Sequence, residues 1–124
     1  MKPRKSIQRD TIRSLLLNSN RPLDCEELWR LAKARVPTVG RSTVYRVLRR
    51  LEEGKVIQTL IGPGQKLYYE RLQGPHHHSF CRKCEVAFCL HATLDVAAMV
   101  PAGFVLEDQV LFLLGCCSVC ENSP

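Results

Sequence analysis

The sequence lacks any apolar run close to the roughly 20 residues that a helix needs to cross a bilayer. A helical membrane protein is therefore not expected. Its opening residues, MKPRKSIQRD, also lack the hydrophobic stretch of a secretory signal, so the expected location is the reducing cytoplasm. An even cysteine count is missing too. Seven cysteines cannot all pair, and in a reduced compartment metal binding becomes the default use for them. Nothing resembles an HExxH element or places a second carboxylate beside the histidines, as a zinc hydrolase with an open metal position would require. A βαβ setting for thioredoxin-like dithiols is absent as well.

Acidic residues are scarce in the first half. Residues 1–50 hold 13 Lys and Arg against 4 Asp and Glu, whereas residues 51–124 hold 5 against 8. Positive charge gathered into one half is the footprint of a nucleic-acid-binding module, the alternative being a solvated basic surface. Three amphipathic segments occupy this half. In QRDTIRSLLLNSN, Ile12, Leu15 and Leu16 share a helical face and Asn18 to Asn20 provide a stop. Asp24 can cap CEELWRLAKAR, with Leu28, Leu31 and Ala32 as its buried face. In RSTVYRVLRRLEEGKV, Val44, Val47, Leu48 and Leu51 form an apolar stripe, Ser42 is the expected N-cap and Gly54 the stop.

The front of this third helix carries Arg41, Thr43, Tyr45, Arg46, Arg49 and Arg50. Such a helix suits a DNA major groove, where arginines meet guanine or phosphate and an aromatic edge meets a thymine methyl. Two β-rich runs around Gly62-Pro63-Gly64 then predict a hairpin. Three helices and a hairpin predict a winged helix-turn-helix over residues 1–72, with Lys66 on the wing positioned to touch the DNA backbone.

After the Gly74-Pro75 linker, residues 73–124 read as a small α/β dimerisation and metal-binding domain, making the whole chain α+β. Cys81–Cys84 and Cys117–Cys120 are two CxxC turns bracketing this unit, the spacing of a closed, structural four-cysteine Zn2+ site. LHATLDVAAMV is a short helix candidate. Residues 110–114 are apolar on both faces of an extended chain, and about fifty residues cannot cover such a strand alone. A homodimer with two recognition helices is the expectation, on double-stranded DNA with a palindromic operator.

The segments RSTVYRVLRRLEEGKVI, HHHSFCRKC and GCCSVC, with Gln8-Arg9, resemble the ferric uptake regulator family over nearly the whole chain. The resemblance implies a dimeric, metal-dependent repressor of metal-uptake or stress genes. It implies base contacts from Tyr45 and Arg46 and a minor-groove contact from Arg4; Arg41, Ser42, Thr43 and Arg49 on the third helix complete the candidate DNA-binding set. It also implies a regulatory site of Glu70, His76, His78 and Cys89 for a second divalent metal, Zn2+, Fe2+ or Mn2+. Cys89 replaces the family's usual carboxylate, and a thiolate favours zinc. Glu85 stands where a glycine usually follows the first CxxC, and Gln109 where a histidine usually precedes the last motif. A peroxide-sensing repressor of the same family, a zinc-dependent hydrolase and a zinc-ribbon adaptor are the competing readings.

Overall fold

The computed structural model describes residues 4–74, 76–92, 95–107, 109 and 111–122. The chain divides into two compact units, Met1–Gly74 and Pro75–Pro124. The first contains helix α1 (Arg4–Leu17), strand β1 (Leu23–Asp24), helices α2 (Cys25–Arg35) and α3 (Arg41–Glu53), and strands β2 (Ile57–Ile61) and β3 (Leu67–Arg71). The second contains strands β4 (His77–Cys81), β5 (Ala87–Leu90) and β6 (Phe112–Gly115) and a short helix, α4 (Ser118–Glu121). This is the α+β architecture expected. No helix among the described residues is long and apolar enough to cross a membrane.

Local chemistry sets the helix ends. Asp24 Oδ1 accepts the Glu27 backbone N–H at 2.8 Å, capping α2 ahead of Glu26 and Glu27 in its positive first turn. The Asn18 backbone and side chain both donate to the Ser14 carbonyl where α1 stops. In α3 the N-cap is Gly40 in extended conformation, with no side-chain cap, so Ser42 lies inside the first turn and is not the cap expected of it. The helical ladder already begins at Gly40, whose carbonyl accepts the Val44 N–H at 3.4 Å, and Arg41 in the first turn pairs with Glu26. At the other end the Gly54 N–H donates to the Arg50 carbonyl at 2.9 Å. The left-handed residue after this stop is Lys55, at φ 56°.

Val44, Val47, Leu48 and Leu51 of α3 are all buried, against Ile12 and Leu16 of α1 and Leu28 and Ala32 of α2. Leu31 departs from its expected place in that core and is 41% exposed. The buried face of α2 turns instead toward Cys25 and Trp29, which pack partly against the core, and Trp29 Nε1 donates to the Val39 carbonyl at 3.1 Å. Strands β2 and β3 form the expected antiparallel hairpin, with Gly64 at φ 69° in its turn. The two-residue β1 adds itself to the other edge of β3.

In the second unit β4 lies centrally, antiparallel to β5 and parallel to β6. Only a 3-10 turn, Ala97–Met99, appears within the segment expected to be helical, whose residues 93 and 94 lie outside those described. Of the apolar run 110–114, position 110 also lies outside. Phe112, Leu113 and Leu114 form β6 and are 41%, 47% and 47% exposed.

The packing separates two leucines of similar sequence context. Leu48→Ala should destabilise the first unit by about 2–5 kcal/mol. Leu31→Ala should stay within about 0.5 kcal/mol, as surface changes do. Urea unfolding followed through Trp29 measures both, and equal losses would contradict this placement of the core.

Candidate nucleic-acid interface and metal centres

Three stripes run along α3. The apolar one faces the core. Tyr45 and Arg49, four residues apart, define a second, and Thr43, Arg46 and Arg50 a third. The Tyr45 ring is 56% exposed. Its hydroxyl donates to the Cys25 thiol, which burial pushes up and this bond partly restores. The nearby Cys25 sulfur, and then the same bond, raise the Tyr45 hydroxyl above its ordinary value. Arg46 Nη2 donates to Thr43 Oγ1 at 3.2 Å, which orients the guanidinium along the helix.

Arg41, Lys66 and Arg4, all expected DNA contacts, already have partners within the protein. Arg41 donates to both carboxylate oxygens of Glu26, at 3.0 and 2.8 Å, and its Cζ lies 3.9 Å from the centre of the Trp29 ring. The guanidinium thus ties α3 to α2. Lys66 Nζ sits 3.4 Å from Asp24 Oδ2, tying the wing to the cap of α2. Arg4 opens α1, and its Nε donates to Thr38 Oγ1 at 3.3 Å. The sequence carried no signal for the Glu26–Arg41–Trp29 cluster, because Arg41 joins the two α2 residues from α3.

The four cysteines of the two CxxC turns converge. Parallel pairing puts Cys81 opposite Gly115, so the turn after β4 and the turn after β6 emerge side by side. All four sulfurs lie within 4.8 Å of one another. The Cys84–Cys117 separation is 3.9 Å, and a tetrahedral ion with bonds of about 2.3 Å sets its sulfurs about 3.8 Å apart. The donor set and spacing therefore fit Zn2+. Backbone N–H groups of Cys84 and Cys117 point at Cys81 Sγ, at 3.5 and 3.3 Å, and lower its thiol to about 5. Cys120 is pushed up to about 12, first by its hydrogen bond to Cys117 and then by burial. Cys116, outside the cluster, has its thiol raised by burial. Glu85 closes the first turn through a 2.9 Å bond to the Cys81 carbonyl at φ 62°, a left-handed conformation that explains the glycine common at this position.

A second cluster is built by strand alternation. His76 and His78, two residues apart, share one face, with ring centroids 4.5 Å apart. Cys89 on β5 pairs directly opposite His78. The ligand atoms of His76, His78 and Cys89 lie within 4.8 Å of one another, a set of two imidazoles and a thiol able to hold a divalent ion. His77 points to the other face, where its Nδ1 accepts the Leu111 N–H at 3.1 Å. His91 stacks on His76 at 5.3 Å. Glu70 belongs to the first unit, where it is buried on β3 and accepts from Gln58 Nε2 at 2.6 Å.

A winged helix with a cationic, aromatic helix front, followed by thiol-rich metal clusters, defines a DNA-binding regulator of the metal-responsive class. The comparisons with known proteins agree. A model of the ferric uptake regulator family matches residues 2–95, and the chain belongs to that family. The "Ferric uptake regulation protein" of Bacillus subtilis (strain 168) is 33% identical over 120 residues, spanning 90% of this chain and 80% of the relative. Among solved structures, a "zinc-bound manganese uptake regulator" superposes with a TM-score of 0.77 at 26% identity, covering 88% of this chain and 86% of that one. The ferric uptake regulator from Francisella tularensis with iron gives 0.74 at 28%, covering 93% and 92%. The protein is accordingly a metal-responsive transcription regulator and not an enzyme, which removes the hydrolase reading.

Because Arg41 is held by Glu26 and Trp29, Arg41→Ala should change the emission of Trp29 in the DNA-free protein. An emission spectrum identical to wild type would contradict the stacking.

Proposed function

We propose that this chain is a cytoplasmic, homodimeric repressor that binds a palindromic operator when a divalent metal occupies His76, His78 and Cys89, with zinc the favoured signal. The observation that carries the reading is the thiol of Cys89 beside two imidazoles, because a soft sulfur ligand selects zinc over the harder iron and manganese. Glu70 is the carboxylate that the family likeness assigns to the same ion.

Zn2+ at Cys81, Cys84, Cys117 and Cys120 has a structural role in this reading. Four thiolates leave no open coordination position, so this ion does no sensing. A second copy of the chain covers β6, which is a sheet edge with an exposed apolar row. In the dimer two α3 helices read the two operator half-sites. Tyr45 and Arg46 contact bases, Thr43, Ser42 and Arg49 contact the adjoining backbone, and Lys66 and Arg4 act at the flanks. Arg41 holds α3 in place through Glu26. The target genes are those for metal uptake.

Metal acts by favouring one of two arrangements, so removing a ligand should uncouple DNA affinity from metal without unfolding the chain. His76→Ala is expected to lose roughly 5- to 150-fold of metal-stimulated operator binding, the usual range for such coupling. Cys89→Asp should keep the response but move its preference from zinc toward iron or manganese. Operator affinity measured against free metal, with zinc content determined for each protein, decides the matter. A His76→Ala protein that responds like wild type would sink the assignment.

A further inference from the structure

We propose that a cleft between α1 and α3 holds a phosphodiester of bound DNA, forming a backbone clamp beside the base-reading residues of α3; this rests on the proposed binding of an operator. The cleft has a volume of about 280 Å3. Helix α1 contributes Lys5, Gln8 and Arg9, and α3 contributes Thr43, Arg46, Val47 and Arg50. The polar residues on each helix follow helical spacing and so share one face toward the cleft. On α3 this face borders the apolar stripe through Val47 and carries Arg46, so the cleft adjoins the base-reading side chains.

Four cations line the cleft, and no carboxylate is among its lining residues. Like charges gathered around one hollow repel, and an anion between them reverses the sign of that interaction. The local hydrogen bonds are made with neutral partners. Arg9 donates to Ser6 Oγ at 3.1 Å, Arg46 to Thr43 Oγ1, and Gln8 to Thr38 Oγ1 at 3.2 Å. These bonds orient the side chains and leave their charge unneutralised. Pockets for organic ligands run from about 300 to 1,000 Å3 and are mostly apolar. This one lies at the small end of that range and is ringed by four cations, which suits a phosphate group. The Tyr45–Arg49 stripe lies on the same helix, so a phosphate clamped here fixes how α3 sits against the bases. Lys5 and Arg9 therefore join the DNA interface from a helix outside the recognition motif.

The test uses the full-length, metal-loaded protein and its Lys5→Gln, Arg9→Gln and Arg50→Gln variants. Lys5, Arg9 and Arg50 are exposed, so thermal melts should match wild type. Affinity is measured on operator and on random duplex between 50 and 200 mM salt, with Tyr45→Ala as the base-reading control. Each variant loses one phosphate contact per protomer and two per dimer, so it should weaken both duplexes by the same factor and lower the salt slope by about 1.8, making the fall over that range roughly tenfold shallower. Arg50→Glu should weaken both duplexes further. If wild type shows salt-dependent duplex binding and the cleft variants keep its affinity and slope, the clamp is overturned while the DNA-binding reading stands. If wild type binds no duplex under any metal condition, that reading fails and the clamp falls with it. A parallel titration with inorganic phosphate, followed by NMR of the arginine side chains, separates the two anion sources. Saturation at micromolar phosphate with no change in DNA salt slope would assign the cleft to a free anion and overturn the DNA clamp.

Discussion

The convergence of two CxxC turns at the ends of parallel strands β4 and β6 is the constraint on which the second unit depends. Its described residues bury few side chains: His77, His78, Phe80, Cys81 and Ala87. The first unit, by contrast, has a continuous apolar cluster that runs from Ile12 to Tyr69. So small a core cannot offset the chain entropy of ordering about fifty residues. Four sulfurs brought within bonding range of one ion supply what the packing lacks, because metal binding in such modules is folding free energy. Cys81, held as a thiolate by two backbone N–H groups, gives that ion a ligand ready at neutral pH. The Glu85 backbone, left-handed without a glycine, is strain that the closed site holds in place.

The strand leaving that knot also builds the second cluster. Because β4 alternates its side chains, three consecutive histidines divide into two roles. His76 and His78 face Cys89, while His77 secures the backbone at Leu111 ahead of β6. One strand therefore carries the end of the structural site, two ligands of the proposed sensing site and the contact that aligns the apolar edge of β6. In the proposed regulator, metal at the sensing cluster and dimer contact along β6 act on one and the same sheet.

Much of the first unit is legible because its signals are periodic. The stripe Val44, Val47, Leu48 and Leu51, the Asp24 cap and the Gly62-Pro63-Gly64 turn each follow from local chemistry that a sequence displays directly. Leu31 escapes such a reading because Trp29, through its bond to Val39 and the stacked Arg41, rotates the buried face of α2. Ser42 is not the cap because the α3 ladder starts two residues earlier, at the Gly40 carbonyl, where Arg41 meets Glu26 of the preceding helix. Strand β1 has only two residues and owes its existence to its partner β3. All three depend on contacts distant in sequence, which periodicity does not encode. The four-cysteine cluster is visible from spacing alone. The grouping of His76, His78 and Cys89 needs the family likeness, since β4 and β5 have no strong strand signature.

The central claim is that the cysteine knot holds the second unit together while the first stands on its own core. Amide hydrogen exchange, read by mass spectrometry on zinc-loaded protein and on protein stripped with a strong chelator, tests this most directly. Strands β4, β5 and β6 should lose protection together on zinc removal, while α1, α2 and α3 keep theirs. Unchanged protection across β4 to β6 after complete removal of zinc would contradict the claim.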